Sequence, residues 1–309
     1  MTVMTEWLFV IYNVSPFCYI ISAGIFIYFF LWVTPPPMKT YSFYLLHVNL
    51  MFYVSGVTVA GLWRPDPVIR NGTQCDISHS LYELPYHLTV NFALVNTSSS
   101  LTYASVLCCF LFLCAQAINP RKLAFIKHPL LFTVIHLVSV ALQGGFSVLP
   151  FLGNDPYEVA FCKQKSPRLA LFQNVLIYFL ITMSFLYFLI IAGTGFSIYR
   201  NITHTSQRTR AMQVNFLFAL TLMASMPVTT NAIPRILTLF TLKDPSVGII
   251  AIRITYAFKA LQPIICTFIS IAVIRVYRRK VVMIFRRVVK KKNVSQITAV
   301  TTALNSRDK

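Results

Sequence analysis

Long apolar stretches alternate with short polar ones along the whole chain, and this alternation predicts helices that cross a membrane. A helix needs about 20 apolar residues to span the hydrocarbon core of a bilayer. The intervening stretches, such as TPPPMK at residues 34–39, combine proline, glycine, asparagine or charge, which ends helices and favours turns. Seven segments are therefore predicted to be spans: residues 8–33, 41–63, 88–114, 130–149, 169–198, 211–239 and 247–274.

Composition supports a membrane protein and argues against a soluble domain. Of the 309 residues, 56% are apolar and only 11% are charged, whereas a soluble domain usually has about a quarter charged residues. The first residues lack the basic start of a signal peptide, so the first apolar block is expected to stay as a span. The sequence predicts an all-α membrane protein, a single seven-transmembrane-helix bundle over residues 1–309 with a short amphipathic helix after the last span.

The distribution of charge predicts how the chain is oriented. Of the 27 Lys and Arg residues, 18 fall in one of the two alternating sets of loops and tails. Seven of the eight acidic residues fall in the other set. Because Lys and Arg are retained on the cytoplasmic side, the amino terminus is predicted to be outside and the carboxyl terminus inside, in the plasma membrane. A net charge of +19 is then explained by the cytoplasmic leaflet, and nucleic acid is not an expected partner.

Two features of the outside loops agree with this orientation. Asn71 begins an Asn-Gly-Thr glycosylation sequon in the first outside loop. Five of the seven cysteines fall within spans, and the remaining two, Cys75 and Cys162, both lie in outside loops. Because oxidation is permitted there, we expect these two to form a disulfide that ties the second outside loop to the top of the third span. Two free thiols are the alternative.

The segment RRKVVMIFRRVVKKK, residues 278–292, follows the last span on the inside face. On a helix its valine, isoleucine and phenylalanine side chains share one side and its cations the other. This pattern predicts an interfacial helix that binds anionic lipid of the cytoplasmic leaflet. A solvated basic tail is the alternative, and it would leave six apolar side chains exposed. Residues 293–309 form a short tail.

The architecture resembles that of a G-protein-coupled receptor. More narrowly, TPPPMKTYSFYLLHVNL at residues 34–50 and VYRR at residues 276–279 are similar to signatures of nematode serpentine chemoreceptors, nearest the class H and class I groups of the Str superfamily. The chain departs from the rhodopsin-like family, since its third span ends in CAQAINPRK and its seventh has QPIIC. The resemblance implies a chemosensory receptor for a small odorant-like ligand, signalling to a heterotrimeric G protein, with sensory neuron cilia as the expected location.

Several residues are candidates for these roles. Each proline in a span removes a helical hydrogen bond, so Pro227, Pro234 and Pro263 are candidate bends, and the resemblance favours hinges at Pro227 and Pro263; a static kink is the alternative. The resemblance also implies that inside-loop cations face the G protein, although topology alone would place them there. Those cations are Arg121, Lys122, Arg208 and Arg210. Polar residues in the outer halves of spans are ligand-binding candidates, with helix–helix hydrogen bonds as the alternative: His87, Asn91, Gln173, Asn174, Asn231, Tyr256 and Lys259.

Lys259 has alternative roles besides contact with a ligand. Lys259 is predicted to lie near the outer boundary, where snorkelling outward or pairing with Glu83 is favoured over contact with a ligand.

No enzyme motif, catalytic residue, metal site or cofactor site is predicted. A transporter or channel is the alternative function. It is less favoured because the span number is odd, no repeat is evident and central carboxylates are missing.

Overall fold

The computed structural model describes residues 5–70, 73–80, 85–118, 128–151, 157, 160–162, 167–200, 207–229 and 245–287. In this part of the chain, seven helices form a bundle and an eighth follows the last of them. The helices are α1 (Glu6–Tyr28), α2 (Lys39–Val57), α3 (His87–Ile118), α4 (Pro129–Val140), α5 (Pro167–Arg200), α6 (Gln207–Pro227), α7 (Pro245–Val273) and α8 (275–287).

The predicted fold class, an all-α membrane protein built on a seven-helix bundle, is confirmed. Six of the described helices are long and apolar enough to cross a membrane. The other, α6, is the described part of the predicted span 211–239, and the remainder of that span lies outside the described residues. Large apolar side chains such as Phe17 and Ile20 are exposed on the outside of the bundle, as expected of a protein whose surroundings are lipid.

Three of the helices end in a π-turn, which apolar periodicity did not predict. The π-turns are Phe29–Val33 after α1, Thr58–Trp63 after α2 and Ala141–Gly145 after α4. In the first of them, the backbone N–H of Thr34 donates to the carbonyl of Phe29 at 3.1 Å. Because the prolines that follow have no N–H to donate, Thr34 provides the last backbone donor of this helix.

Helix α3 lies at the centre of the bundle, packed against α2, α4, α5 and α6. Its middle is rich in small polar side chains, which allow neighbouring helices to approach closely. Many of these hydroxyls donate to a carbonyl of their own helix three or four residues earlier, so they remain satisfied in the interior. The buried members of this set are Ser98, Ser99, Ser100, Thr102 and Ser105.

Side-chain hydrogen bonds join α1, α2 and α7. The Tyr53 hydroxyl donates to Ser22 Oγ at 2.8 Å and lies 2.8 Å from the hydroxyl of Thr267. One helical turn away, Asn49 Nδ2 donates to Ser270 Oγ at 3.3 Å. These bonds fix the rotation of α2 and α7 relative to each other, because each donor reaches its acceptor in only one register.

Gly56 marks the closest approach between α2 and α7, and Gly56→Ala is expected to destabilise the bundle. A Cβ atom at this position would lie 2.5 Å from Pro263 Cγ and 2.9 Å from the Tyr19 hydroxyl. Overpacking of this kind costs about 1–3 kcal/mol. Thermal unfolding of the purified chain in nanodiscs would measure the loss.

Gly24→Ala is the matched control, because no atom lies within 4 Å of a Cβ built there. In a helix interior, replacing glycine with alanine contributes about 0.5–1 kcal/mol of stability. The two substitutions are therefore expected to shift the melting temperature in opposite directions. A Gly56→Ala variant as stable as the Gly24→Ala variant would contradict the close approach.

A three-stranded antiparallel sheet covers one end of the bundle, where the sequence predicted only turns. Its strands are β1 (Pro65–Arg70), β2 (Thr73–Ser78) and β3 (Ala160–Cys162), in the order β1-β2-β3. Arg64, with φ of 49°, adopts the left-handed conformation that turns the chain from the end of α2 into β1. We name this end of the bundle the sheet end, and the opposite end, where α7 meets α8, the α8 end.

Helix α8 begins three residues before the predicted start, at residue 275, and residues 288–292 and the tail 293–309 lie outside the described part of the chain. Its apolar side chains Val281, Ile284 and Phe285 border a groove whose other wall is α1, including Gly24 and Tyr28. The exposed fractions of the side chains from Val281 to Phe285 range from 40% to 69%. An exposed apolar face beside a membrane-crossing helix is the arrangement expected of an interfacial helix.

Candidate functional site

The sheet forms a lid that a disulfide closes. Cys75 on β2 lies opposite Cys162 on β3, and the two side chains are bonded. The predicted pairing of the two loop cysteines is therefore confirmed. The prediction that the disulfide is attached to the top of the third span is wrong. Cys75 lies in the hairpin of β1 and β2, so the disulfide joins the two loops to each other and does not reach α3.

The lid is held on the bundle by Asp66, a buried carboxylate on β1. One of its oxygens accepts a hydrogen bond from the backbone N–H of Thr5 at 3.0 Å, just before α1. The other forms an ion pair with Arg253 Nε of α7 at 3.2 Å. Arg253 also donates to the carbonyl of Pro67 at 3.0 Å, and the Tyr12 hydroxyl donates to that of Pro65 at 2.9 Å. Both α1 and α7 are thus fastened to β1.

Aromatic side chains form the floor under the lid. Trp63 meets the rings of Phe92 on α3 and Tyr256 on α7 edge to face, with centroids 5.7 and 5.4 Å apart. The Tyr256 hydroxyl donates to Asp76 Oδ2 on β2 at 3.3 Å. At the edge of the lid, burial lowers the pKa of His79 from its ordinary value. The uncharged ring is therefore favoured there.

Beneath this floor, side chains from α3, α5 and α7 and from the π-turn after α4 enclose a small cavity around Lys259. The Lys259 side chain is buried, with 7% of its surface exposed. The cavity is small, with a volume of about 10 Å³, so it has room for about one water. Its lining is Asn96, Ser99 and Tyr103 of α3, Gln143 after α4, Leu176 and Leu180 of α5, and Lys259.

This position of Lys259 differs from the favoured sequence interpretation. Snorkelling would direct the amine outward, but the side chain is buried and lines an internal cavity together with Ser99 and Tyr103, three and four turns into α3. Glu83, the predicted alternative partner, lies outside the described residues. The physical reason is the face of α7 on which Lys259 lies: Tyr256 and Gln262, three residues before and after it, are also buried.

The other ligand-binding candidates are distributed unevenly. His87 and Asn91 are buried on the first turns of α3, and Tyr256 belongs to the aromatic floor. Asn174 is corrected: it is exposed on α5, because the buried stripe of that helix passes through Phe172, Leu176 and Phe179. The side chain of Gln173, and all of Asn231 and Asn71, lie outside the described residues.

A chain of hydrogen bonds runs from the cavity to the candidate hinge at Pro227. Tyr103 lines the cavity, and its hydroxyl donates to the carbonyl of Pro227 on α6 at 2.8 Å. The Tyr187 hydroxyl on α5 donates in turn to the carbonyl of Tyr103 at 2.7 Å. Tyr103 therefore joins α3 to α5 and α6 at one level of the bundle. Sequence reasoning missed it because a tyrosine in an apolar segment is normally interpreted as core.

At the α8 end, a larger cavity opens between α6, the start of α8 and the turn before α2, which contributes Pro35 and Met38. Its volume is about 650 Å³. Met212 and Phe216 of α6 and Ile274 give it apolar walls, and the side chains of Arg275 and Arg279 also line it. Arg210, a predicted G-protein-facing residue, lines an adjoining cavity with Arg275 and Arg278. Arg121 and Lys122 lie outside the described residues, as does the side chain of Arg208.

Comparison with known families identifies what the chain is similar to. The family described as serpentine type 7TM GPCR chemoreceptor Srh matches residues 150–287, from the end of the segment after α4 through α8. No curated protein matches the chain. The family match confirms the resemblance to nematode serpentine chemoreceptors. Of the two groups named from the motifs, it supports class H.

Proposed function

We propose that this protein is a serpentine chemoreceptor of the Srh type. It binds a small odorant-like ligand in the half of the bundle near the sheet end and signals to a heterotrimeric G protein at the α8 end. The observation that carries the proposal is the internal cavity around Lys259, which places a buried cation among polar side chains under a disulfide-closed lid. The sheet end is then outside and the α8 end cytoplasmic, as the loop charges predict.

The lining of the cavity favours a ligand that carries an oxygen acceptor. An ammonium group offers three donors and no acceptor, and a carbonyl or carboxylate would meet Lys259 with the amides and hydroxyls of Asn96, Gln143 and Ser99 around it. The two leucines of α5 would contact the apolar part of the ligand. Because the cavity has room for about one water, a larger ligand must displace lining side chains, and Tyr103 is among them.

Displacement of Tyr103 would let ligand binding near Lys259 affect the α8 end of the bundle. Movement of the Tyr103 ring would break its hydrogen bond to the carbonyl of Pro227. Once that bond is broken, the α6 backbone can change its bend at Pro227, because a proline cannot donate the hydrogen bond that would stiffen this turn of the helix. A movement of α6 would widen the cavity at the α8 end, where Met212 and Phe216 form one wall. Ligand binding would thus raise the population of the conformation in which α6 is displaced.

The cavity at the α8 end suits a segment of a G protein. Apolar walls and an arginine rim match an amphipathic helix that ends in a carboxylate, since guanidinium groups bind carboxylates with two hydrogen bonds. The cations of α8 would lie against anionic lipid of the cytoplasmic leaflet while its apolar face enters the headgroup boundary. A receptor of this kind is expected in the plasma membrane of sensory cilia.

Tyr103→Phe is expected to raise ligand-independent signalling. The change deletes only the hydroxyl that joins α3 to Pro227, and a buried hydrogen bond contributes about 0.5–1.5 kcal/mol. Its loss should raise the population of the displaced α6 conformation, and hence basal guanine-nucleotide exchange, by about two- to tenfold. The measurement is the exchange rate on a panel of heterotrimeric G proteins with the purified chain in nanodiscs.

Tyr178→Phe is the control, since Tyr178 is 71% exposed on α5, and its basal exchange should equal that of the wild type. All three proteins are compared at the same concentration of folded protein. The alternative function, a transporter or channel, makes a different prediction. Substrate-dependent currents through bilayers containing the purified chain, with no exchange on any G protein, would replace the receptor proposal.

A further inference from the structure

Two histidines and a serine meet between α2, α3 and α4, away from the cavity around Lys259. His47 Nε2 lies 3.2 Å from His136 Nε2. Ser105 Oγ lies 3.0 Å from the first of these atoms and 3.3 Å from the second. The three atoms therefore form a nearly equilateral triangle whose corners come from three different helices.

Hydrogen bonds to backbone carbonyls use the protons of His136 and Ser105, so a single proton lies between the three atoms of the triangle. His136 Nδ1 lies 2.7 Å from the carbonyl of Phe132, which can only accept, so Nδ1 carries the proton and Nε2 of the neutral ring presents a lone pair. The single hydroxyl proton of Ser105 is donated to the carbonyl of Leu101 at 2.7 Å. The proton on His47 Nε2 is thus shared between two acceptors. Without that proton, three lone pairs converge on one point.

We propose that this triangle binds a transition-metal ion of the kind that imidazole favours, with Zn²⁺ as the representative. Zinc bonds to histidine nitrogen are about 2.0–2.1 Å long, so two ligand atoms of a tetrahedral ion lie about 3.3–3.4 Å apart. The three separations of 3.2, 3.0 and 3.3 Å match one face of that tetrahedron. On binding, the His47 proton moves from Nε2 to Nδ1, and the metal takes its place.

The surroundings of the triangle fit the requirements of such a site. The carbonyl of Phe132 holds His136 in the tautomer that directs Nε2 at the ion, which is the usual role of an outer partner of a metal-binding histidine. The Phe132 ring packs against both imidazoles, with centroids 4.8 and 4.6 Å away. Both histidines are only half-buried, so the three helices do not completely enclose the triangle.

The site would clamp three helices in the half of the bundle near the α8 end. His47 lies eight residues after the start of α2 at Lys39, which at 1.5 Å per residue is about 12 Å along the helix. Among the described residues, no three His, Cys, Asp or Glu side chains are grouped as metal ligands, so the third ligand here is the Ser105 hydroxyl. The site is separate from the Lys259 cavity and does not depend on the proposed function.

The test measures zinc binding by the purified chain in nanodiscs. Binding is measured by equilibrium dialysis and by titration calorimetry, with Zn²⁺ as the added ligand. The wild type is expected to bind one ion at this site, and binding should raise its melting temperature. His47→Gln and His136→Gln should each lower the zinc affinity by more than about tenfold, since even loss of an outer partner costs that much.

His128→Gln is the matched control, because His128 is exposed at the start of the same helix as His136, and its zinc affinity should equal that of the wild type. Melting temperatures without zinc separate loss of the ion from loss of the fold. Unchanged affinity in folded His47→Gln and His136→Gln variants, or no zinc bound by the wild type, would overturn the proposal.

Discussion

Cys75→Ser is expected to lower the stability of the folded chain by about 2–4 kcal/mol, the usual range for removal of a native disulfide. The bond joins residues 87 positions apart, across all of α3 and α4. Its loss frees a long loop in the unfolded chain and releases β3, which pairs with β2 at three positions only. Thermal unfolding of the purified protein in nanodiscs measures the change.

Treating the wild type with a membrane-permeant reductant should reproduce the result of the substitution. Cys18→Ser provides the control, because Cys18 is a free thiol on α1, and its melting temperature should follow that of the wild type under both conditions. A Cys75→Ser variant that melts with the wild type would mean that the contacts of Asp66 and Tyr12 hold the lid without the bond.

The bundle could be predicted from the sequence because its causes are local. A span needs only enough consecutive apolar residues, and the prolines at 35–37 end α1 whatever lies around them. The cysteine pairing followed from compartment alone, since Cys75 and Cys162 were the two that fell outside spans. None of these inferences needs knowledge of which side chains meet.

The lid could not be predicted because its causes are contacts between distant segments. β1 has the sequence PDPVIR, and two prolines in six residues argue against a strand, since proline cannot donate to a ladder. The strand forms because β2 pairs with it on one side while Asp66 is held by Thr5 and Arg253 on the other. The ion pair joins residues 187 positions apart, a relation that no local pattern records.

The Lys259 cavity could be predicted only in part. Polarity within a span identified Asn91 and His87 as residues of the interior, whereas Lys259 was expected to snorkel outward or to pair with Glu83. It could not identify Tyr103, whose ring is apolar and whose hydroxyl becomes informative only when the carbonyl of Pro227 lies 2.8 Å away. For Asn174, position along the span was predicted but rotation of the helix was not, so the residue was assigned to the interior although it is exposed.

Lys259→Met is expected to abolish the response to ligands without changing basal signalling. Methionine preserves the length and apolar stem of the side chain but removes the ammonium group of a residue that lines the cavity. A hydrogen bond to a charged group contributes about 1.5–3 kcal/mol, which corresponds to about a 10- to 150-fold loss of affinity. The measurement is nucleotide exchange, across an odorant panel that includes carboxylic acids, ketones and alcohols.

The contrast with Tyr103→Phe makes this result specific to a ligand site. One substitution should alter basal exchange and the other only the ligand-evoked part, because Lys259 lines the cavity whereas Tyr103 also joins α3 to α6. Lys39→Met, at an exposed position at the start of α2, controls for loss of a positive charge. If Lys259→Met reached the surface and responded like the wild type to every ligand, Lys259 would be a structural residue of the core, and the ligand site would lie elsewhere in the bundle.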